Sequence, residues 1–225
     1  TSTVSANTDA GFSIVSYTGN GSSSATIGHG LSSAPEMVIV KSRDLASTNW
    51  LTAINVTGSY IDLNLNDTSA NSNAGDGDYF AQAFTSTTFK PNVNGSNPTN
   101  GNGNTYIAYA FHSVDGYSKV GSYTGNGSTD GTFVYTGFRP AYILHKRTDA
   151  SAQSWQILDN KRDTYNVMHL ELAANESNAE ADYDWLDFTS NGFKLRRNST
   201  QNNADGGTYI YLAFAETPFK YANAR

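Results

Sequence analysis

Apolar residues along this chain come in short bursts, separated by stretches of Gly, Asn, Ser and Thr. In the first half the bursts fall at Phe12–Tyr17, Ala25–Gly28, Met37–Lys41, Trp50–Asn55, Tyr60–Leu65, Tyr79–Phe84, Thr88–Lys90 and Thr105–Phe111. Each is too short for a buried helix and is bounded by turn residues, which predicts strands. In "TYIAYAF" the residues Tyr106, Ala108 and Ala110 alternate with Ile107, Tyr109 and Phe111. Both faces are therefore rich in apolar or aromatic groups, as in a central strand covered on both sides. One segment reads differently. Met168–Phe188, "MHLELAANESNAEADYDWLDF", carries Leu, Ala and Glu in the proportions of a helix, so a helical turn or two is expected inside a long loop.

The pattern of bursts occurs twice. "SYTGNGS" stands at Ser16–Ser22 and again at Ser122–Ser128. "APEMVIVKSRD" (Ala34–Asp44) matches "RPAYILHKRTD" (Arg139–Asp149), with Pro35 against Pro140, Lys41 against Lys146 and His145 in place of Val40. Trp50 then matches Trp155, and "GNTYIAYAF" (Gly103–Phe111) matches "GGTYIYLAF" (Gly206–Phe214). Conserved order at nearly constant spacing predicts two tandem homologous modules, 1–114 and 115–225. Each has the size of a complete β-sandwich, at about 100 residues. Some eight strands per module would suit a jelly-roll-like pair of sheets. The repeated Gly-Asn-Gly has the chemistry of a tight turn, since Gly and Asn tolerate positive φ.

Composition agrees with an all-β reading: 14 Tyr, 11 Phe and 20 Gly, against only 2 Met. The absence of cysteine removes disulfides, thiol nucleophiles and thiolate metal sites. Net charge is −6 overall. Residues 1–115 hold three basic side chains (Lys41, Arg43, Lys90) against eight acidic ones, and the remainder is nearly balanced. Without a dense basic surface no nucleic-acid partner is expected. No apolar run reaches the roughly 18 residues of a membrane span, so no membrane insertion is expected. The chain starts at Thr1 without a basic-then-apolar leader, which is expected of a processed chain or a piece of a longer one.

Few residues carry recognisable chemistry. Asp76-Gly77-Asp78, in an Asn-rich loop, has the oxygen ligands of a calcium loop but not the twelve-residue EF-hand pattern. Asp76 and Asp78 are accordingly the metal candidates; calcium is the one cofactor weighed, and otherwise none is expected. Glu171, Asp182 and Asp184 could supply a carboxylate pair for glycoside hydrolysis. The first module has no matching set, and an enzyme is not expected. The four histidines lack metal-ligand spacing. Sugar recognition is the chemistry that remains, through aromatic rings on loops and amides beside them. The candidate ligand-binding residues are Tyr79, Tyr165, Tyr183, Asp184 and Trp185, while the competing reading makes these aromatics core. Because the modules differ most in the loops 66–78 and 171–184, function is best sought there.

The series "GFSIVSYTGNGS", "IGHGL", "VIVKSRD", then "GSYTGNGS", "FVYTGFRP" and the terminal "GGTYIYLAFAETPFKYANAR" resembles a family of tandem β-sandwich domains. These lie at the C-terminal ends of virion structural and tail-fibre-like proteins, mainly of marine bacteriophages and cyanophages. The resemblance covers Gly11 to Arg225. It implies a location on the virion surface, outside the cell, and a fibre-type adhesin contacting a host surface glycan or receptor. It also implies other virion proteins as partners and a homo-oligomer, by analogy a trimer. It supplies no catalytic residues. A capsid-decorating or filament-forming subunit without a specific ligand is the first alternative, and a glycan hydrolase the second.

Overall fold

The computed structural model describes residues 2–56, 58, 60–71, 80–93 and 98–218. Among these there is no helix. In the first part of the chain the strands are β1 (Ser2–Asn7), β2 (Phe12–Thr18), β3 (Ile27–Gly28), β4 (Met37–Ser42), β5 (Leu51–Asn55), β6 (Tyr60–Asn64), β7 (Phe80–Phe84), β8 (Thr88–Pro91) and β9 (Thr105–Phe111). The second part holds β10 (Ser118–Thr124), β11 (Phe133–Tyr135), β12 (Pro140–Arg147), β13 (Gln156–Asp159), β14 (Met168–Ala173), β15 (Ala181–Thr189), β16 (Gly192–Leu195) and β17 (Thr208–Ala215). The chain separates into two compact units, Thr1–Leu65 with Asn71–Ser113, and Asn66–Ala70 with Val114–Arg225.

In the first unit a six-stranded sheet, β1-β2-β9-β4-β5-β6, and a three-stranded one, β3-β8-β7, enclose a core. Val15, Tyr17, Val38, Val40, Ala53, Tyr106, Ala108 and Ala110 of the larger sheet pack with Ile27, Phe80 and Phe89 of the smaller. In the second unit eight strands form one antiparallel ladder, β10-β17-β12-β13-β14-β15-β16-β11. The ladder brings Tyr123, Ile143, Leu158, Tyr209 and Tyr211 from one half against Val134, Leu186, Phe188, Phe193 and Leu195 from the other. These are sandwich or near-barrel arrangements, closed by apolar side chains that alternate along each strand. Strands β12 to β16 run as a meander, so the interleaved Greek keys expected of a jelly roll are not the order seen.

The helix expected within Met168–Phe188 is instead the β14–β15 pair, with Met168 opposite Leu186 and Glu171 opposite Ala181. Helix propensity differs by only tenths of a kcal/mol per residue among such side chains. Burial of Met168, Trp185, Leu186 and Phe188 outweighs it. Strand β1 was not evident from the pattern, because all six of its residues are exposed. It runs along the edge of β2, from Ser2 opposite Tyr17 to Asn7 opposite Phe12.

The repeated heptad does not turn one strand onto the next. Each copy leaves its strand and is clasped by the loop before β9 or β17. Gly19 N donates to Asn104 O at 2.8 Å and Gly21 N to Asn100 O at 3.0 Å. Gly125 N donates to Gly207 O at 2.8 Å and Gly127 N to Asn203 O at 3.0 Å. Gly21 and Gly127 hold positive φ, 68° and 65°. Gly19 and Gly125 serve a different need, close approach: a Cβ at Gly19 would stand 2.2 Å from Gly101 O, and one at Gly125 2.3 Å from Ala204 O. The preceding tyrosines stack on partners across the sheet, Tyr17 on Tyr106 at 5.1 Å and Tyr123 on Tyr209 at 4.8 Å.

Candidate functional site

A cleft of about 170 Å³ opens in the second unit, lined by Ser154, Glu171, Glu176, Asn178, Tyr183, Trp185 and Gln201, with Ala173, Ala179 and Ala181. Glu171 and Ala173 come from β14 and Ala181, Tyr183 and Trp185 from β15, with Glu171 opposite Ala181 and the register shifting between the pairs Leu170–Asp182 and Met168–Leu186. The loop joining these strands is pinned to the residues before β13. Ala174 N donates to Trp155 O at 2.8 Å, and Trp155 N to Asn175 Oδ1 at 2.7 Å. Glu176 is held at both carboxylate oxygens, by the Ser154 hydroxyl and by the Asn178 amide.

Two carboxyl groups thus share the cleft. Glu171 is buried, and burial pushes its carboxyl above the usual range, helped by the charge of Glu176 and opposed by a hydrogen bond from Gln156 and the charge of Arg162. Tyr183 meets Trp185 edge-on at 5.5 Å. The Arg197 guanidinium lies over both rings, 3.7 Å from the centre of Tyr183 and 4.9 Å from that of Trp185. One face of each ring is therefore taken by a cation. Tyr183 is half exposed, whereas Trp185 is buried and its indole Nε1 has no hydrogen-bond partner.

A buried polar tract is bonded to the cleft residues Glu171 and Gln201 through Gln156. His145 on β12 pairs with Gln156 on β13, and both are fully buried. The Tyr123 hydroxyl donates to Asn202 O at 2.9 Å and lies 3.0 Å from His145 Nδ1. With its proton directed to Asn202, that hydroxyl can only accept from His145, which assigns the proton to Nδ1 and leaves Nε2 a bare acceptor. Burial lowers the pKa of His145 to about 3, so the ring is neutral. His145 Nε2, Gln156 Oε1 and Asn202 Oδ1 all lack partners. Gln156 Nε2 reaches Gln201 Oε1 at 3.5 Å, which connects this tract to the cleft wall.

Of the residues singled out from sequence, Tyr183 and Trp185 line the cleft. Asp184 does not; its carboxylate lies 3.1 Å from His169 Nε2, outside the lining. Asp182 is not in the lining either, so the acid that shares the cleft with Glu171 is Glu176. Tyr165 is 83% exposed in the loop between β13 and β14 and is not part of the lining. Tyr79, Asp76 and Asp78 lie outside the described residues. No group of three or more His, Asp or Glu side chains suited to a metal ion occurs among the described residues. Glu176 and Asn178 fall in the loop 171–184 where function was sought but were not singled out, and Ser154 and Gln201 were not foreseen because segments distant in sequence bring them to that loop.

The first unit has a cleft of about 210 Å³ lined by Ser2, Thr18, Asn20, Ala25, Thr26, Ile27 and Asn100. It contains no aromatic ring and no charged side chain. At the ladder position where His145 faces Gln156, this unit has Val40 facing Leu51. Its buried histidine, His29, is satisfied, with Nε2 3.1 Å from Thr85 O and Nδ1 accepting from Leu31 N at 3.1 Å.

An all-β chain with sandwich or near-barrel sheets and a polar-lined cleft is the class that this architecture defines. The chain belongs to the family described as a domain of unknown function, DUF7483, whose model matches residues 1–218. No match was found among curated proteins or among solved structures.

Proposed function

We propose that the chain is a virion appendage protein, a fibre-type adhesin built from two tandem homologous modules and displayed outside the cell. The duplication is supported by the matched heptads and by matched ladders, in which Tyr17–Tyr106 and Tyr123–Tyr209 occupy equivalent pairs. The second module carries recognition, binding a host surface glycan in the cleft of Tyr183 and Trp185. The observation that carries this reading is the conjunction of the half-exposed Tyr183 ring, backed by the buried Trp185, with Ser154, Asn178, Gln201 and two carboxyl groups in one concavity. Aromatic rings cover apolar sugar faces while amides and carboxylates bond hydroxyls, and pockets of this mixed lining are the usual ligand sites. A glycan array probed with the whole chain tests it. Binding to a defined glycan, reduced at least tenfold by Tyr183→Ala, supports the adhesin. Failure to bind any sugar or host cell, together with regular self-assembly, sinks it in favour of a structural subunit.

One observation favours a second reading. Glu171, held towards its neutral form, shares the cleft with Glu176, and an acid paired with a carboxylate is what glycoside hydrolysis requires. Release of new reducing ends from a bound glycan, lost in Glu176→Gln, would replace adhesion by hydrolysis.

A further inference from the structure

Among the described residues of the second unit, every arginine but one is matched to a carboxylate. Arg139 pairs with Glu216, Arg147 with Asp149, Arg162 with Asp159 and Glu180, and Arg196 with Asp187. Arg197 has neither an ion pair nor a hydrogen bond among the described residues. Stacking holds it instead, with the guanidinium carbon 3.7 Å from the centre of the Tyr183 ring and 4.9 Å from that of Trp185. Ring contact engages the face of a guanidinium and leaves the N–H donors in its plane for an acceptor. A side chain fixed in this way loses little further freedom when it forms a forked pair. Folding does not account for the residue. "GFKLRR" (Gly192–Arg197) matches "TFKPNV" (Thr88–Val93), with Phe193 and Phe89 each buried in the core of its unit. The first unit therefore has Val93 where the second has Arg197.

The guanidinium is tied to the cleft by the rings beneath it. Tyr183 and Trp185 both belong to the lining, as does Gln201, which follows Arg197 in the same loop. Nearby acids are committed elsewhere. Glu176 is bonded by the Ser154 hydroxyl and the Asn178 amide, Asp184 faces His169, and Glu180 pairs with Arg162. Glu171 is held towards its neutral form by burial. Over two rings of the lining there is thus a cation without a counter-ion. The concavity beside it, about 170 Å³, is below the ~300 Å³ at which drug-sized ligands sit, and suits a single ring or a chain end.

We infer that Arg197 anchors an acidic sugar residue, its guanidinium taking the carboxylate or sulfate group while the sugar ring enters the cleft against Tyr183. This specificity rests on the adhesin reading above. It is tested with the full chain titrated separately with galacturonate, sulfated galactose and neutral galactose oligomers of equal length, followed by calorimetry and tryptophan fluorescence. At least one acidic probe should bind about tenfold more tightly than the neutral one, and added salt should narrow that margin. The acidic probe that binds identifies the anionic group. Arg197→Gln should remove the preference and leave the neutral affinity within about twofold. Arg197→Lys should also lose most of it, because an ammonium keeps the charge without the fork. Lys161→Gln, which deletes an exposed charge elsewhere on the unit, should leave the preference intact, and thermal melts verify that each variant folds. A neutral probe bound as tightly as the acidic ones, or an acidic preference that survives Arg197→Gln, overturns the assignment and leaves the adhesin standing. No binding to any glycan, on these probes or the wider array, overturns both.

Discussion

Val40 faces Leu51 in one unit, and His145 faces Gln156 at the corresponding ladder position in the other. In each unit a tyrosine hydroxyl bonds a loop carbonyl, Tyr17 to Thr99 and Tyr123 to Asn202. Two unlike solutions to one packing position separate what the fold needs from what it merely tolerates. An apolar pair suffices for the fold. The polar pair leaves acceptors unsatisfied, and its Gln156 bonds the cleft residues Glu171 and Gln201. The difference between the units therefore marks the site more sharply than any motif they share.

The comparison can first be broken where the units are alike. Gly19→Val and Gly125→Val each drive a side chain into a backbone carbonyl, and each should cost about 3 kcal/mol or more. Chemical denaturation measures the loss. Tolerance of either substitution would show that the heptads are not a common structural clasp.

The second effect, in the second unit, is a pH dependence. Unfolded histidine titrates near 6.5, while His145 is held neutral down to about pH 3. Below 6.5 the unfolded chain takes up a proton that the folded chain refuses. Stability should therefore fall as pH drops through this window, by about 1.4 kcal/mol per unit from this group. His145→Val, which installs the residue of the first unit, should flatten that slope in thermal melts. His29 is also lowered by burial and contributes in the same direction, so a residual slope is expected. An unchanged slope in His145→Val would contradict the neutral, buried assignment.

Smaller effects distinguish the two tyrosines. Tyr17→Phe removes one buried hydrogen bond and should cost about 1 kcal/mol. Tyr123→Phe also strands His145 Nδ1 and should cost about 2 kcal/mol. Equal losses would mean that the His145 contact contributes nothing. The mildest change is Glu171→Gln. Burial raises this carboxyl, so the stability it contributes is present at pH below the unfolded value and is lost as pH rises through the folded one. The variant should melt higher than the native chain at pH 7, and that advantage should vanish at pH 4.

Much of the frame was legible because burial imposes alternation. The strand expected at Thr105–Phe111 has those bounds, and most others are within a residue or two. Strand β1 escaped because its pairing is made by backbone alone, which leaves no mark in side-chain hydrophobicity. The β14–β15 pair escaped because weak helix propensity resembles a signal until tertiary burial overrides it. Of the site, Tyr183 and Trp185 were legible as aromatics in a variable segment. Asp184 turned instead to His169, in a stretch where the register of β14 with β15 shifts, which residue chemistry alone does not reveal. The substitution of His145 for Val40 was visible in the repeat, yet its meaning depended on Gln156 standing across the ladder. Only strand register supplies that.

The central claim is that the second unit carries a polar interior pair which its own fold does not require. The double variant His145→Val with Gln156→Leu tests it most directly, since it gives the second unit the pair found in the first. Thermal melting of the full chain should show a melting temperature equal to or above that of the native chain. A lower melting temperature would contradict the account.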